Sequence, residues 1–493
     1  MDRLELLQWM ASVTGLLFVF ALGAIVGSFV NVVAYRVPMG LSLIRPGSRC
    51  PSCETPLTWR ENFPIFGWIA LGGKCRFCKS RISAEYPLVE FVTAVLFALP
   101  YAIWYMRPSV LGWALDVAWW TPEWALDGLV RTWPMYFLIL VMMGCLIAIT
   151  LVDAKTFQIP ISIPWGMAGI ALVVHPAHAL WLSTTKAGGL KHSAFDWTIP
   201  TFDGAWLGAA FGAGVGLLAA AVLLWMKVLP QSFSDYEAWE QEATAALERA
   251  EAEGKATEDE GESVGGLLAR TFFLTAPAVA GMWGGYGIGL SMGQEMLGLG
   301  VGTVLGLVVG VVLRATVGGR GGSEGDPVWV GYPHARREMM KEILFLVPVV
   351  AGAAGGWLLG DSMGVLGDPP LWLLALGGSV GGIIVGGGLV WMVRILGSLA
   401  FGKEAMGLGD VHLMAGVGAV VGVVDPVLAF FVAPFLGIAW AVGSVFFGKM
   451  FKREGTALPY GPHLAAATII VLLAKPAFEV VLSALAGRTI WLV

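Results

Sequence analysis

Charged side chains are scarce in this sequence. Only 13% of the 493 residues are Asp, Glu, Lys or Arg, whereas 57% are hydrophobic. A soluble domain of ordinary composition carries about twice this share of charge, so a mainly soluble architecture is excluded. Repeated apolar runs of about 18 or more residues instead predict an all-α polytopic membrane protein.

A cleavable signal peptide is also lacking. The first apolar run, Val13 to Tyr35, has no basic segment before it and continues directly into GSFVNVVAYRVP. We therefore interpret this run as the first membrane helix rather than as a targeting segment.

The apolar runs predict about twelve membrane spans. The tenth of them is short and rich in glycine, which makes it an unusual span. The predicted spans are 13–35, 87–106, 134–152, 159–182, 203–228, 271–292, 296–313, 343–361, 371–397, 411–424, 427–447 and 463–486.

The distribution of basic residues predicts the orientation of the chain. If the loop after the first span is cytoplasmic and the sides alternate, most of the 30 Lys and Arg residues fall in cytoplasmic segments. This bias is the one that the positive-inside rule describes. It places both chain termini on the outer side.

Two aspartates lie at the ends of apolar runs, Asp153 in GCLIAITLVD and Asp410 in GKEAMGLGD. An ionisable side chain at membrane depth is costly and indicates function. The predicted topology places both at the cytoplasmic face. Two adjacent carboxylates share a proton and can act together as acid and base on a peptide bond. Gly407 and Gly409 would let neighbouring backbone approach Asp410 closely.

Four of the five cysteines form two CxxC pairs in one loop: Cys50, Cys53, Cys75 and Cys78. Two such pairs at this spacing are typical of a zinc ribbon, in which four thiolates form a closed tetrahedral site. The loop is predicted to be cytoplasmic, where disulfides are disfavoured. We therefore predict a structural zinc ion, and a redox dithiol is the alternative.

These motifs together resemble the bacterial prepilin peptidases, bifunctional leader peptidases and N-methyltransferases of type IV pilus and type II secretion systems. The resemblance covers both ends of the chain and the segments around both aspartates. The matching segments are GSFVNVVAYRVP (27–38), the cysteine loop (48–90), LVDAKTFQIP (151–160), GKEAMGLGDVHLMAGVGA (402–419) and ALPYGPHLAAA (457–467).

The resemblance implies a GxGD intramembrane aspartic protease in the bacterial inner membrane, with its active site and zinc loop on the cytoplasmic side. Its substrates would be prepilins or pseudopilins, and S-adenosylmethionine would be the methyl donor. The resemblance also implies contact with membrane lipid and no nucleic-acid partner. It does not indicate the oligomeric state. Asp153 and Asp410 match the catalytic pair. Supporting motif positions are Gly407, Gly409, Pro160, Lys403 and Glu404.

The methyltransferase residues are less defined, because the sequence has no Gly-rich nucleotide-binding loop. Gly27, Ser28, Asn31 and Arg36 could contribute to methyl transfer or could pack the first helix against the zinc loop. We favour packing.

The chain departs from the family pattern at four places. Ala405 stands where glycine is more frequent, His412 where lysine is usual, and Ile161 where many members have an acidic residue. The fourth departure is an insertion, so that an eight-helix family core carries about four extra helices. The expected segments are 1–36 (first transmembrane helix), 37–86 (zinc loop, with helix 1 the methyltransferase region), 87–226 (first part of the peptidase core), 227–368 (insertion with an acidic stretch and extra helices) and 369–493 (second part, with the GxGD motif).

Two other classes of protein fit part of the pattern. A different GxGD protease would share the aspartates but lack the cysteine loop. A polytopic transporter or scaffold could use Asp153 and Asp410 as a proton relay. The order of the motifs along the whole chain favours the prepilin peptidase.

Overall fold

In the part of the chain that the computed structural model describes, the regular secondary-structure elements are all helices. This part comprises residues 3–106, 120–184, 202, 204–235, 239, 280, 335–363, 369–402, 404–451, 459–487 and 489. The helices are α1 (Arg3–Arg36), α2 (Phe66–Ala70), α3 (Glu85–Tyr105), α4 (Leu129–Thr156), α5 (Ser162–Thr184), α6 (Gly204–Trp225), α7 (Ala335–Met363), α8 (Leu371–Phe401), α9 (Leu408–Val421), α10 (Val424–Phe451), α11 (Tyr460–Leu473) and α12 (Lys475–Ala486), with a 3₁₀ turn at Glu123–Asp127.

Eight of the described helices are long and apolar enough to cross a membrane, or nine if α11 and α12 count as one span. They correspond to the predicted spans near the same positions. The predicted spans 271–292 and 296–313 lie outside the described residues. The all-helical membrane architecture is confirmed, and the total of twelve spans stays a prediction.

The predicted tenth span, 411–424, is shorter in the structure than a span requires. Helix α9 has 14 residues, which is about 21 Å of helix and less than the thickness of a bilayer core. Its residues from Asp410 to Val421 are buried, apart from His412. This helix is therefore enclosed by its neighbours, and its apolar composition reflects burial in protein.

The predicted last span, 463–486, is bent. Helices α11 and α12 meet at an angle of 84°. Pro476 stands in the first turn of α12, where it has no N–H to continue the hydrogen bonds of the preceding helix. The Lys475 ammonium at the bend pairs with the buried Asp425 at 2.9 Å.

Glycine permits close helix contact at two places that position the site. A Cβ at Gly23 would lie 2.7 Å from the Ala94 Cα, so that α1 and α3 touch through backbone. Gly382 of α8 and Gly418 of α9 face each other so closely that a Cβ on either would overlap the carbonyl of the other. Small residues at such crossings let membrane helices pack by van der Waals contact.

The chain divides into two compact units. The first unit comprises Met1–Phe211, Ala354–Leu389 and Gly409–Val493, and the second comprises Gly212–Ala353 and Val390–Leu408. The first unit holds the cysteine loop and both aspartates. The division into five segments made from the sequence stays a prediction.

Candidate active site and metal centre

Asp153 lies in the last turn of α4. The helix stops at Phe157, which has a left-handed backbone (φ 54°) and donates its N–H to the Asp153 carbonyl at 2.9 Å. The side chain of Asp153 is buried, with 4% of the residue exposed. A carboxylate in this position needs polar partners, because burial removes it from water.

The partner of Asp153 is the first turn of α11. The backbone N–H of Gly461 donates a hydrogen bond to the Asp153 carboxylate. The first N–H groups of a helix have no partner within the helix and carry partial positive charge, so they stabilise an anion. A Cβ at Gly461 would overlap Asp153 Oδ2. Only glycine therefore allows this approach.

Asp410 lies in the first turn of α9 and is also buried, with 7% of the residue exposed. The Tyr460 hydroxyl, in the first turn of α11, donates to the Phe430 carbonyl at 3.4 Å. The structure thus places Asp410 directly after Gly409 in α9, and Asp153 against Gly461 of α11.

Ile159 links the two sides of this site. A Cβ at Gly409 would lie 2.8 Å from Ile159 Cβ, and a Cβ at Gly461 would lie 3.2 Å from Ile159 Cδ1. The next residue, Pro160, accepts the Ile163 N–H at 3.1 Å as the chain turns into α5. The connection between α4 and α5 therefore sets the spacing between α9 and α11 by packing.

His412 of α9 is fixed by a tryptophan of α5. Trp165 Nε1 donates to His412 Nδ1 at 3.3 Å, and the two ring centroids are 5.9 Å apart. A nitrogen that accepts a hydrogen bond carries no proton. The histidine at this position is therefore held as a neutral ring, unlike the lysine that the resemblance led us to expect.

The other predicted motif residues belong to the second unit. Gly407 is exposed and immediately precedes α9. Glu404 is an ion-pair partner of the buried Arg394. Lys403 lies outside the described residues. Glu404 therefore has a defined partner, which the sequence did not reveal.

The cysteine loop contains two matching tight turns. In the first, the Glu54 N–H donates to the Cys50 carbonyl at 2.9 Å and the Cys50 N–H donates to the Thr55 carbonyl at 3.0 Å. In the second turn, the Lys79 N–H donates to the Cys75 carbonyl at 3.1 Å and the Cys75 N–H donates to the Ser80 carbonyl at 2.9 Å. The residue after the second cysteine of each pair has a left-handed backbone, with φ of 55° and 59°.

The four cysteine sulfurs form one cluster in the first unit. All lie within 4.8 Å of one another, and this is the one group in the described residues whose geometry could hold a metal ion. The Sγ atoms of Cys50 and Cys78 are 3.8 Å apart, and those of Cys53 and Cys75 are 3.9 Å apart. A tetrahedral zinc ion with Zn–S bonds of about 2.3 Å requires sulfurs about 3.8 Å apart. The donor set therefore fits zinc.

Hydrogen bonds favour the thiolate form at two of the sulfurs. The N–H groups of Cys53 and Ser52 lower the pKa of Cys50 to about 6. The Ser80 hydroxyl, 3.1 Å from the sulfur, and the Ser80 backbone lower the pKa of Cys78. Burial and hydrogen bonds to the neighbouring thiols raise the pKa of Cys75. Metal ligands must be deprotonated, so Cys50 and Cys78 are the ligands prepared for a cation before one binds.

Gly27, Ser28, Asn31 and Arg36 of the first helix all make packing or hydrogen-bond contacts with neighbouring segments. A Cβ at Gly27 would lie 2.7 Å from the Glu90 Cα of α3. The Ser28 hydroxyl donates to the buried Glu90 carboxylate, which also accepts the Ile65 N–H at 2.6 Å. These contacts tie α1 and the start of α2 to α3.

Asn31 and Arg36 continue the same interface. Asn31 Nδ2 donates to the Tyr86 carbonyl at 3.1 Å, and Arg36 Nη1 donates to the Ser42 carbonyl at 2.9 Å. Both side chains thus hold the loop where it leaves the helices. These contacts do not assign any of the four residues to the binding of a methyl donor.

Sequence reasoning missed two parts of this site, the Gly461 N–H and the packing of Ile159, and it also missed the buried Arg394 of the second unit. The backbone contact has no residue-type signal beyond the glycine itself. Arg394 did have one, since it interrupts the apolar run GLVWMVRILG, and a charge within a span indicates a buried partner.

Comparison with known proteins finds a matching family model. The model of the Bacterial Peptidase A24 N-terminal domain matches residues 21–104, which include α2, α3 and the cysteine loop. No solved structure matches the chain.

Three of the curated relatives carry the name "Prepilin leader peptidase/N-methyltransferase". The protein from Klebsiella pneumoniae is 30% identical over 228 residues, which are 44% of this chain and 87% of the relative. The protein from Myxococcus xanthus (strain DK1622) is 37% identical over 157 residues, 31% of this chain and 39% of the relative. The protein from Neisseria gonorrhoeae is 31% identical over 176 residues, 31% of this chain and 52% of the relative.

The match to the Klebsiella relative covers most of that protein, while the other two cover about half or less of theirs. Identity of 30% across 87% of a relative is not explained by shared hydrophobic composition. The chain therefore belongs to the family of prepilin leader peptidases/N-methyltransferases.

Proposed function

We propose that the protein is a membrane-embedded aspartic endopeptidase that removes the leader peptides of type IV prepilins or pseudopilins. The observation that supports this proposal is packing on Ile159: Gly409, which precedes Asp410, and Gly461, which contacts Asp153, both lie against this side chain. Family membership supplies the class of substrate. We also propose that the site lies at the cytoplasmic face of the inner membrane, as the basic loops predict.

The chemistry follows from a pair of carboxylates that binds one proton. The ionised member takes a proton from the attacking water, and the protonated member donates a hydrogen bond to the scissile carbonyl. In the proposed reaction either member can serve as the base or as the acid. The Gly461 N–H stabilises negative charge on Asp153, and the packing of Ile159 on Gly409 holds α9 in place.

The cysteine loop has a structural role in this proposal. Four thiolates would complete a tetrahedral zinc site and leave no coordination position for substrate. The tight turns around Cys50 and Cys75 would be stabilised by the metal, since a loop of this size has no core of its own.

Methylation of the new N-terminal residue is the second proposed activity. The names of the relatives support it, and S-adenosylmethionine is the methyl donor that the family implies. When bound, it would supply an electrophilic methyl group for the N-terminal amine. Mass spectrometry of the mature pilin tests this activity, and an unmethylated N-terminus would leave a peptidase only.

The decisive test of the peptidase uses Asp153→Asn and Asp410→Asn with a co-expressed prepilin. Each change removes one member of the pair and should lower cleavage by roughly 10²- to 10⁴-fold. Cleavage is measured by the ratio of precursor to mature pilin, and enzyme abundance in the membrane is measured in parallel.

Glu85→Gln is the matched control, because Glu85 pairs with Lys155 beside the same helix end and is nearly half exposed. It should cleave at the wild-type rate. Undiminished cleavage by either Asn variant would remove the aspartyl mechanism.

A further inference from the structure

Arg394 is a fully buried cation in the second unit, with 1% of the residue exposed. Its guanidinium contacts two different segments. Nε and Nη2 donate to the Glu342 carboxylate of α7 at 3.2–3.3 Å. Nη1 donates to the Glu404 carboxylate and to the Met406 carbonyl. The planar group thus holds a helix on one side and a loop on the other.

Glu342 is itself held in place. It is buried (3% exposed), and its Oε2 accepts the Trp391 Nε1–H at 2.6 Å. The Phe233 ring lies 5.3 Å from Arg394 Cζ. A buried arginine is stable only when it is paired and hydrogen-bonded. Glu342 is therefore the group that keeps Arg394 charged and oriented at this position.

The loop that Arg394 holds comprises the described residues 402 and 404–407, which we call the GxGD loop. It begins at Gly402, whose backbone is left-handed (φ +71°) and whose N–H donates to the Ser398 carbonyl at 2.8 Å. The Ala405 N–H donates to the buried Ser398 hydroxyl at 3.0 Å. Together with the contacts of Arg394, these bonds fix the loop up to Met406.

Helix α9 starts two residues after Met406, and Asp410 lies in its first turn. A carbonyl held by Arg394 therefore determines where the chain enters α9. Glu342 binds only the Nε and Nη2 groups of Arg394, which leaves Nη1 to donate to the Met406 carbonyl of the loop. Displacements of about 1 Å at a catalytic group can cost about 100-fold in rate.

We propose that Arg394 is a positioning residue for Asp410 and that Glu342 maintains it in that role. Glu342 lies within 227–368, the segment that the sequence predicts to be an insertion. The insertion is thus part of the catalytic apparatus rather than a spacer. This inference rests on the proposed peptidase function.

The first test compares Arg394→Met, Glu342→Gln and the control Glu338→Gln. Glu338 is a fully buried carboxylate on the same helix, but its partners are Phe233, Arg337 and Lys341. Purified enzyme in nanodiscs is assayed on a purified prepilin. We expect kcat to fall roughly 10- to 100-fold in the first two variants with little change in KM, and to stay at the wild-type value in the control.

The second test separates positioning from stability. Arg394→Met leaves the Glu342 carboxylate buried without its partner, so the Tm should fall. Adding Glu342→Gln removes that charge while Trp391 keeps its acceptor. We expect the Tm of the double variant to recover, while kcat stays low and hydrogen exchange at residues 402–408 stays fast.

Recovery of kcat together with Tm in the double variant would overturn the proposal, because Arg394 would then be merely structural. Wild-type kcat in Arg394→Met would overturn it as well. Asp410→Asn is assayed beside these variants. If Asp410→Asn is inactive and Arg394→Met is fully active, the positioning role fails alone, whereas an active Asp410→Asn means that the proposed function has failed.

Discussion

The cysteine site draws its four sulfurs from one loop between Cys50 and Cys78, whereas the aspartate site joins helices that are far apart in the chain. The four cysteines are positioned by two tight backbone turns that contain the cysteines themselves. Asp153 instead depends on the Gly461 N–H of α11, and Gly409 on the side chain of Ile159. Local turns can build a metal site, but only helix packing can build the aspartate pair.

Gly461→Ala should give the largest effect, because it breaks the aspartate site by packing alone. The added methyl group would overlap Asp153 Oδ2 and approach Ile159, so either the carboxylate or α11 must move. We expect cleavage to fall about 100-fold while the zinc content is unchanged. Prepilin processing and metal analysis of the purified protein measure the two quantities.

Gly169→Ala is the control for that change, since a Cβ at Gly169 meets no atom within 4 Å. It lies on α5 in the same unit and should process prepilin normally. A Gly461→Ala enzyme with full activity would mean that the N–H contact does not matter for the site.

Gly409→Ala should give a smaller effect, about tenfold on cleavage, because its added methyl meets an apolar side chain instead of a carboxylate. The new Cβ would lie 2.8 Å from Ile159 Cβ. The double variant Gly409→Ala/Ile159→Gly removes that Cβ and should recover part of the lost rate. The absence of any recovery would show that Ile159 does not couple α9 to α11.

The sequence allowed prediction of the local features and not of the packed ones. The CxxC spacing predicted the sulfur cluster, because four ligands in one loop need no knowledge of the fold. The positions of Asp153 and Asp410 at helix ends followed from hydropathy. The contact of Gly461 with Asp153 and Ile159 did not, since a backbone N–H leaves no pattern in the sequence. Arg394 and Glu342 come from different helices, and only the structure pairs them.

Hydropathy also predicted a membrane span at 411–424, where the structure has the buried 14-residue helix α9. Apolar composition does not distinguish a helix that faces lipid from one that is enclosed by other helices. The bend before Pro476 did have a signal, because proline favours a helix start over a helix interior.

Replacing Cys50 and Cys53 by serine tests the independence of the two sites. Loss of two thiolates should reduce the zinc content from about one per chain to near zero, and the loop should become sensitive to protease. The contacts that hold Asp153 and Gly409 come from Gly461 and Ile159, outside the loop. Cleavage per enzyme molecule should therefore change by no more than about twofold. A loss as large as that of Gly461→Ala would show that the metal site also supports the aspartates.

The smallest expected effect is a change in the pH dependence of zinc affinity. Zinc binds thiolates, so every thiol that is protonated at a given pH must release a proton on binding. The N–H groups of Cys53 and Ser52 lower the pKa of Cys50 to about 6, so this thiol is ionised above that pH and protonated below it. The slope of log affinity against pH should therefore steepen by about one proton below pH 6, as measured by chelator competition.

Ser80→Ala removes a hydroxyl that lies 3.1 Å from Cys78 Sγ and 3.8 Å from Cys50 Sγ. Because that hydroxyl lowers both thiol pKa values, the steepening should move to higher pH in the variant. An unchanged profile would mean that Ser80 does not tune the sulfurs, and the aspartate site should show no response to this substitution.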